Sequence, residues 1–148
     1  MPKTNVTQAT IATTDVLNRY LFNDMHVRGE LVQLSKSYQS IIKNHNYPLG
    51  VRLLLGELLA ATCLLSATLK FNGEITVQLQ GDGPVGYMSV NGDNNQTMRG
   101  IAKLKPEQAN TEATSLHELI GKGTMVITIR PEVGEAYQGV VALEQSTL

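Results

Sequence analysis

The stretch that decides the fold runs from Leu49 to Gln80, LGVRLLLGELLAATCLLSATLKFNGEITVQLQ. Its first part puts apolar residues on one helical face about 120° wide, which predicts a long buried helix from about Leu49 to Lys70. Cys63 and Ser66 lie on the opposite side of that helix, and Gly73 is expected to terminate it. The pattern then changes to a period of two, because apolar residues alternate with polar ones over Ile75, Val77 and Leu79. This alternation predicts a half-buried strand.

Shorter elements are predicted on both sides of this stretch. A capping box at Ser115–Glu118 predicts a short helix that Gly121 ends, and Tyr38, Ile41 and Ile42 predict another. Further strands are expected over Val16–Phe22, Val27–Leu34, Tyr87–Asn91, Gln96–Leu104, Thr124–Arg130 and Tyr137–Leu143. With six or seven strands and three helices, the chain is predicted to be a single α+β domain. Its sheet, mostly antiparallel or mixed, should pack against the long central helix and the shorter helices.

Composition excludes several classes of protein. The 148 residues include 12 basic and 13 acidic side chains, a formal charge of −1 that argues against a nucleic-acid-binding protein. One cysteine cannot form an internal disulfide or a four-cysteine zinc site. The uncharged stretch Leu58–Leu69 is shorter than the about 20 residues of a membrane span. No apolar signal segment occurs over Met1–Asp15, so we expect a cytoplasmic protein without membrane contact.

One glycine motif matches a nucleotide-binding fingerprint, Gly81-x-Gly83-x-x-Gly86. The fingerprint depends on a helix that starts within it and directs free N–H groups at a pyrophosphate. Here Pro84 and a predicted strand follow, which favours a plain hairpin turn. A nucleotide-handling enzyme remains an alternative on this motif alone.

The remaining candidates for chemistry do not form a recognisable active site. The three histidines, at positions 26, 45 and 117, fall in three different elements, without the spacing of a metal site. Cys63 has no partner cysteine and is expected to be a packed structural thiol, and Glu57 is expected at a solvent-touching edge. We therefore expect no catalytic, cofactor-binding or metal-binding residue in this chain, and a protein that is not an enzyme.

The central stretch carries a family resemblance. The run LAATCLLSATLKF at 59–71, continued by NGEITVQLQGDGP at 72–84, resembles the N-terminal domain of the redox-regulated holdase chaperones, the 33-kilodalton heat-shock proteins of bacteria. Four further segments agree in the family's order: RYLF at 19–22, VRGEL at 27–31, QTMRG at 96–100 and YQGVV at 137–141. Together they span nearly the whole chain.

The resemblance implies an ATP-independent chaperone that binds unfolding proteins and prevents their aggregation under oxidative and heat stress. In that family a C-terminal domain binds zinc through four cysteines, and their oxidation releases the metal and uncovers a client-binding surface. None of those cysteines occurs here, and Cys63 matches none of them, so the family's zinc cysteines are expected beyond Leu148. The chain is either a fragment or a member without the switch. We expect a fragment, with residues 1–148 forming the client-binding and dimerisation domain.

The resemblance also implies partners, namely unfolded or oxidatively damaged client proteins. If a lid is missing, exposed apolar surface should favour a homodimer. Candidate client-binding residues are the apolar sides of two strands, Ile75, Val77 and Leu79 or Met125, Ile127 and Ile129, for which a core role is equally open. A structural oligomerisation domain that does not bind clients is a further alternative.

Overall fold

Five antiparallel strands form the central sheet, and their alternating sequences give it one apolar and one polar face. The structure is a computed structural model that describes residues 14–144. The strands follow the order β5-β4-β3-β6-β7 across the sheet, so β3 is central. Their bounds are β3 Gly73–Gly81, β4 Val85–Asp93, β5 Met98–Leu104, β6 Gly123–Pro131 and β7 Tyr137–Leu143.

The long helix α2, Leu49–Thr68, covers the apolar face of this sheet over β3, β4 and β5. By length and composition alone α2 could cross a membrane, but half of its most apolar window is buried inside the domain. The apolar stripe of α2 is buried against the sheet. The buried hydrophobic core, drawn from α2, the sheet and a short helix, consists of Val51, Leu54, Leu55, Leu58, Leu59, Ile75, Val77, Leu79, Val85, Met88, Val90, Ala102, Leu116, Leu119 and Ile120.

The first two strands form a separate antiparallel hairpin rather than joining the main sheet. They are β1, Val16–Phe22, and β2, Val27–Gln33. The helix α1, Lys36–Ile42, connects the hairpin to α2. Leu116–Ile120 form α3 with the predicted capping box, and Gly121 ends it at φ 70°. A 3₁₀ turn over Pro106–Gln108 precedes α3.

The predicted fold class is confirmed, with seven strands and three α-helices among residues 14–144. The predicted terminator of α2 is wrong: the helix ends at Thr68, Leu69 is extended, and Gly73 begins β3. A Cβ at Gly73 would lie 2.5 Å from the carbonyl oxygen of Arg130, so a close strand contact accounts for this glycine. The prediction that Met1–Asp15 contains no signal segment concerns residues that, apart from Thr14 and Asp15, lie outside the described ones.

Candidate functional site

The three candidate residues on β3 lie in the core. Ile75, Val77 and Leu79 are 2%, 2% and 0% exposed, because α2 packs directly over this strand. In this fold they stabilise the contact between sheet and helix and form no accessible surface. Their contact with a client stays a prediction that would require α2 to separate from the sheet.

The candidates on β6 share the same apolar face but lie beyond the main cover of α2. Met125, Ile127 and Ile129 are half-buried, and they pack against the edge of the core. On β7, Val141 pairs with Met125 and Tyr137 with Ile129, so their side chains continue this face. Tyr137 is 65% and Val141 52% exposed. We call these five residues the open inner face, because apolar side chains there are accessible to a ligand.

A second apolar surface lies at the turn of the first hairpin. Leu21, Phe22, Met25 and Val27 are 73%, 54%, 71% and 49% exposed. We call these four residues the hairpin tip. The sequence predicted strands here but not exposure, because apolar residues occupy both parities of β1 and no single face is marked for burial.

Polar contacts hold the base of the hairpin against the helices. An Arg19 guanidinium N–H donates to the carbonyl oxygen of Ala67 in α2 at 2.6 Å, and the same side chain lies 3.2 Å from Glu30. The Asp15 carboxylate accepts from the backbone N–H groups of Ser35 at 2.6 Å and Ser37 at 3.0 Å. Burial opposes ionisation of Asp15, but these bonds and one from the Ser37 hydroxyl lower its pKa.

Cys63 lies beneath this hairpin base and is only 3% exposed. Its thiol donates to Gln96 Oε1 at 2.8 Å, and it borders a cavity of about 210 Å³ between the hairpin and the start of β5. Burial, together with the carboxylates of Asp15 and Glu30, raises the pKa of the Cys63 thiol. Since the thiolate is the nucleophile, this environment suits a packed thiol rather than a reactive one.

The helical-wheel placement of Cys63 and Ser66 opposite the buried stripe is misleading about their environment. Ser66, one turn after Cys63, is 2% exposed. Gly92 lies next to its hydroxyl, since a Cβ at Gly92 would be 3.0 Å from Ser66 Oγ. Met98 packs on the same glycine, with Sδ 2.7 Å from that Cβ position. The hairpin and the sheet therefore cover two sides of α2. Glu57 is exposed, as expected.

The glycine motif forms the predicted hairpin turn between β3 and β4. β4 follows the turn directly, so no helix starts at the motif. The motif therefore lacks the helix N-terminus whose free N–H groups would bind a nucleotide phosphate. Its backbone instead packs on α3: the Gly83 N–H donates to the carbonyl of Ile120 at 2.8 Å, and a Cβ at Gly81 would lie 2.0 Å from that oxygen. Close packing explains Gly81 and Gly83, whereas a Cβ at Gly86 would meet nothing within 4 Å.

No group of three His, Cys, Asp or Glu side chains within residues 14–144 is arranged to hold a metal ion. His45 stacks on Tyr47 with ring centroids 4.8 Å apart, and His26 lies in the turn of the first hairpin at φ 50°. The zinc that the family resemblance implies does not fit the residues described. The zinc cysteines are expected beyond Leu148, which itself lies outside the described residues, so their place in the sequence stays a prediction.

A family model and the most similar curated proteins that we compared point to the same family. The family model described as Hsp33 protein matches residues 15–148. The chain is 73% identical over 134 residues to the 33 kDa chaperonin of Colwellia psychrerythraea and 61% identical to that of Pseudoalteromonas translucida. These matches cover 90% of this chain and 45% and 47% of the two relatives. The chain thus spans about half the length of the relatives it matches.

A solved structure agrees at the level of the fold. The crystal structure of the 33 kDa chaperonin (heat shock protein 33 homolog) from Thermotoga maritima superposes with a TM-score of 0.74 at 17% sequence identity. The superposition covers 91% of this chain and 47% of that one. The arrangement of sheet, central helix and hairpin is therefore shared by sequences that have diverged widely.

Proposed function

The chain belongs to the Hsp33 family, and on that premise we propose that it acts in an ATP-independent chaperone that holds unfolding proteins and prevents their aggregation. The observation that carries this proposal is the family match over residues 15–148, together with 73% identity to a protein named 33 kDa chaperonin. In this proposal residues 1–148 form the N-terminal, client-binding domain. Its partners are unfolded or oxidatively damaged proteins.

Exposed apolar surface gives the proposed activity a physical basis. The hairpin tip and the open inner face both present large apolar side chains to solvent. Covering apolar area yields about 25 cal/mol per Å², so a patch of about 400 Å² would contribute about 10 kcal/mol before the costs of association. Such burial is non-directional and needs no nucleotide hydrolysis, which fits a non-enzymatic protein that accepts many clients.

Redox regulation, in this proposal, depends on cysteines and zinc in the other half of the longer relatives. The single thiol described here is buried and has no partner cysteine, so it supplies neither a disulfide nor a zinc ligand set. We also propose a cytoplasmic, homodimeric protein. The exposed apolar surface supports association with a second copy.

The test is light scattering from a chemically unfolded client enzyme diluted into buffer with this chain, without ATP and under reducing conditions. Suppressed aggregation at a stoichiometric ratio is expected, whereas an equal concentration of a protein without exposed apolar patches should have no effect. A variant that replaces Phe22 and Met25 of the hairpin tip with serine should suppress less if that surface binds clients. Unchanged aggregation with the unaltered chain would contradict the proposal that this domain holds clients by itself.

Sedimentation velocity at tens of micromolar distinguishes the structural alternative. A dimer that leaves client aggregation unchanged would favour an oligomerisation domain without chaperone activity. A monomer that suppresses aggregation would contradict the proposed homodimer and leave the holdase proposal intact.

A further inference from the structure

A cavity of about 510 Å³ opens between α1 and the start of α2. Its polar lining residues are basic or uncharged: Gln39, Ser40, Lys43, His45, Asn46 and Arg52. No aspartate or glutamate within residues 14–144 borders it, and Glu112 lines a neighbouring cavity on the other side of Tyr47. The cavity therefore concentrates donors and positive charge in a chain whose formal charge is −1. A cleft lined by one sign of charge attracts ligands of the opposite sign.

The charges of Lys43 and Arg52 are not compensated by the fold. In the part of the chain that the structure describes, the one ion pair joins Arg19 to Glu30. Lys43 follows the last residue of α1, where the helix dipole favours a cation. Arg52 is the fourth residue of α2, whose first turn holds no acidic residue, and there the dipole disfavours a cation. Helix stability thus accounts for Lys43 but not for Arg52, whereas an anionic ligand accounts for both.

Hydrogen bonds fix the walls of this cavity before any ligand binds. The Tyr38 hydroxyl of α1 donates to the carbonyl oxygen of Arg52 at 3.0 Å, which joins the two helices. The Tyr47 hydroxyl accepts from the backbone N–H of Ala102 in β5 at 3.1 Å, and the Tyr47 ring stacks on His45. The segment between α1 and α2 is therefore tied to the sheet. A preformed site loses less conformational entropy when its ligand binds.

The size and the donors of the cavity indicate the class of anion. A single phosphate takes the space of about three or four water molecules, at about 30 Å³ each, and would leave most of the cavity empty. A chain of two or three phosphates fits the volume better and offers several acceptor oxygens. Arginine binds such oxygens in pairs through its planar guanidinium, and lysine binds them as a compact charge.

We propose that the cavity between α1 and α2 binds the di- or triphosphate group of an anionic ligand through Lys43, His45 and Arg52. The phosphate chain comes either as an inorganic oligophosphate or as part of a nucleotide, and its recognition by these three residues is the same. Binding is non-covalent and does not rest on the proposed chaperone function. Because its contacts come from both α1 and α2, the bound anion stabilises the native packing of these helices.

The direct test is calorimetric titration of the chain with inorganic tripolyphosphate, in a phosphate-free buffer of low ionic strength where charges are weakly screened. Lys43→Gln and Arg52→Gln each remove one charge from the cavity and should weaken binding about tenfold. The matched controls Lys36→Gln in α1 and Arg28→Gln in β2 remove the same charge at exposed residues outside the cavity. Each control should change the affinity less than about twofold.

Titration with ATP distinguishes the two sources of the phosphate chain. Affinity for ATP about tenfold above that for tripolyphosphate would support the site as a nucleotide site, in which the exposed His45 ring lies beside the base. Equal affinities would support it as a site for the phosphate chain alone. Melting of the unaltered chain gives a readout that needs no variant, because tripolyphosphate should raise the melting temperature and sodium chloride of equal ionic strength should not.

Three outcomes would overturn the inference. Absence of both binding heat and a rise in melting temperature with tripolyphosphate would exclude the site. Equal losses of affinity in Lys43→Gln and Lys36→Gln would assign binding to the overall charge of the chain rather than to this cavity. Citrate binding as tightly as tripolyphosphate would exclude recognition of phosphate. Suppression of client aggregation is measured without any phosphate ligand, so the chaperone proposal stands or fails separately.

Discussion

Replacing Leu55 with alanine should lower the free energy of unfolding by about 3–4 kcal/mol. Leu55 is completely buried in α2, facing β5. Its Cδ1 lies 3.3 Å from the position that a Cβ would take at Gly100, so the leucine fills space that the glycine leaves. Truncation would leave a void with a rigid backbone wall on one side.

The magnitude follows from two contributions. Removing three buried carbons loses about 2.4 kcal/mol of transfer free energy, at about 0.8 kcal/mol each. A residual cavity of about 50 Å³ adds about 1.2 kcal/mol, since the surrounding structure relaxes only in part. For a domain of this size the midpoint of thermal unfolding should fall by about 10–15 °C.

Leu53→Ala is the matched control, because it makes the same chemical change in the same helix at a residue that is 50% exposed. It should cost about 1 kcal/mol, as half the area is already in water and no cavity forms. The assay is urea unfolding followed by circular dichroism, with equal m-values required for the comparison. Equal losses in the two variants, or a loss below about 1.5 kcal/mol for Leu55→Ala, would refute the placement of α2 on the sheet.

Three further variants or conditions test other contacts. Gly50→Ala should destabilise the domain although alanine favours helices, because its Cβ would lie 2.0 Å from the carbonyl oxygen of Ala113, whereas Gly86→Ala meets nothing within 4 Å and should be neutral. A thermal shift no larger at Gly50 than at Gly86 would contradict this. The pKa of Asp15 is lowered from 3.8, so the carboxylate should stabilise the fold above about pH 4 and lose this contribution as the pH falls through the folded pKa. The difference in melting temperature between the protein and Asp15→Asn should therefore vanish in acid. A difference that grows as the pH falls would contradict this role of Asp15. Cys63 should react slowly with Ellman's reagent at pH 8 in the native protein and rapidly in urea, because its thiol is buried and its pKa is raised; fast stoichiometric labelling of the native state would exclude the buried position.

Local patterns predicted most elements because each reflects short-range physics. The apolar stripe of α2 has the period of a helix, and the alternation of Ile75, Val77 and Leu79 has the period of a strand, so each pattern identifies its element. The predicted strand Val16–Phe22 matches the observed one at both ends. The capping box at Ser115 is confirmed because its hydrogen bonds join residues three apart. The predicted end of α2 is wrong, because Gly73 is required by the close approach of the Arg130 backbone, and Arg130 is distant in sequence.

The sequence predicted the apolar residues of the candidate client-binding surface but not which of them are exposed. Alternation marks which side of a strand is apolar, but it does not state which neighbouring element covers that side. Ile75 and Ile127 have equivalent patterns, yet α2 buries Ile75 and leaves Ile127 half-covered. Exposure of the hairpin tip likewise depends on what packs around β1 and β2.

The sequence by itself determined the α+β class and the positions of most helices and strands, since periodicity, caps and turn residues act over a few neighbours. The family followed from the resemblance of its motifs, not from these patterns. Only the tertiary structure decided the strand order, with β5 and β7 at the two edges of the described sheet, the separation of the first hairpin from that sheet, and the burial of Cys63 and Ser66. These features depend on contacts between residues far apart in the chain. Many chain paths satisfy the same local pattern, and packing of α2 on one half of the sheet selects among them.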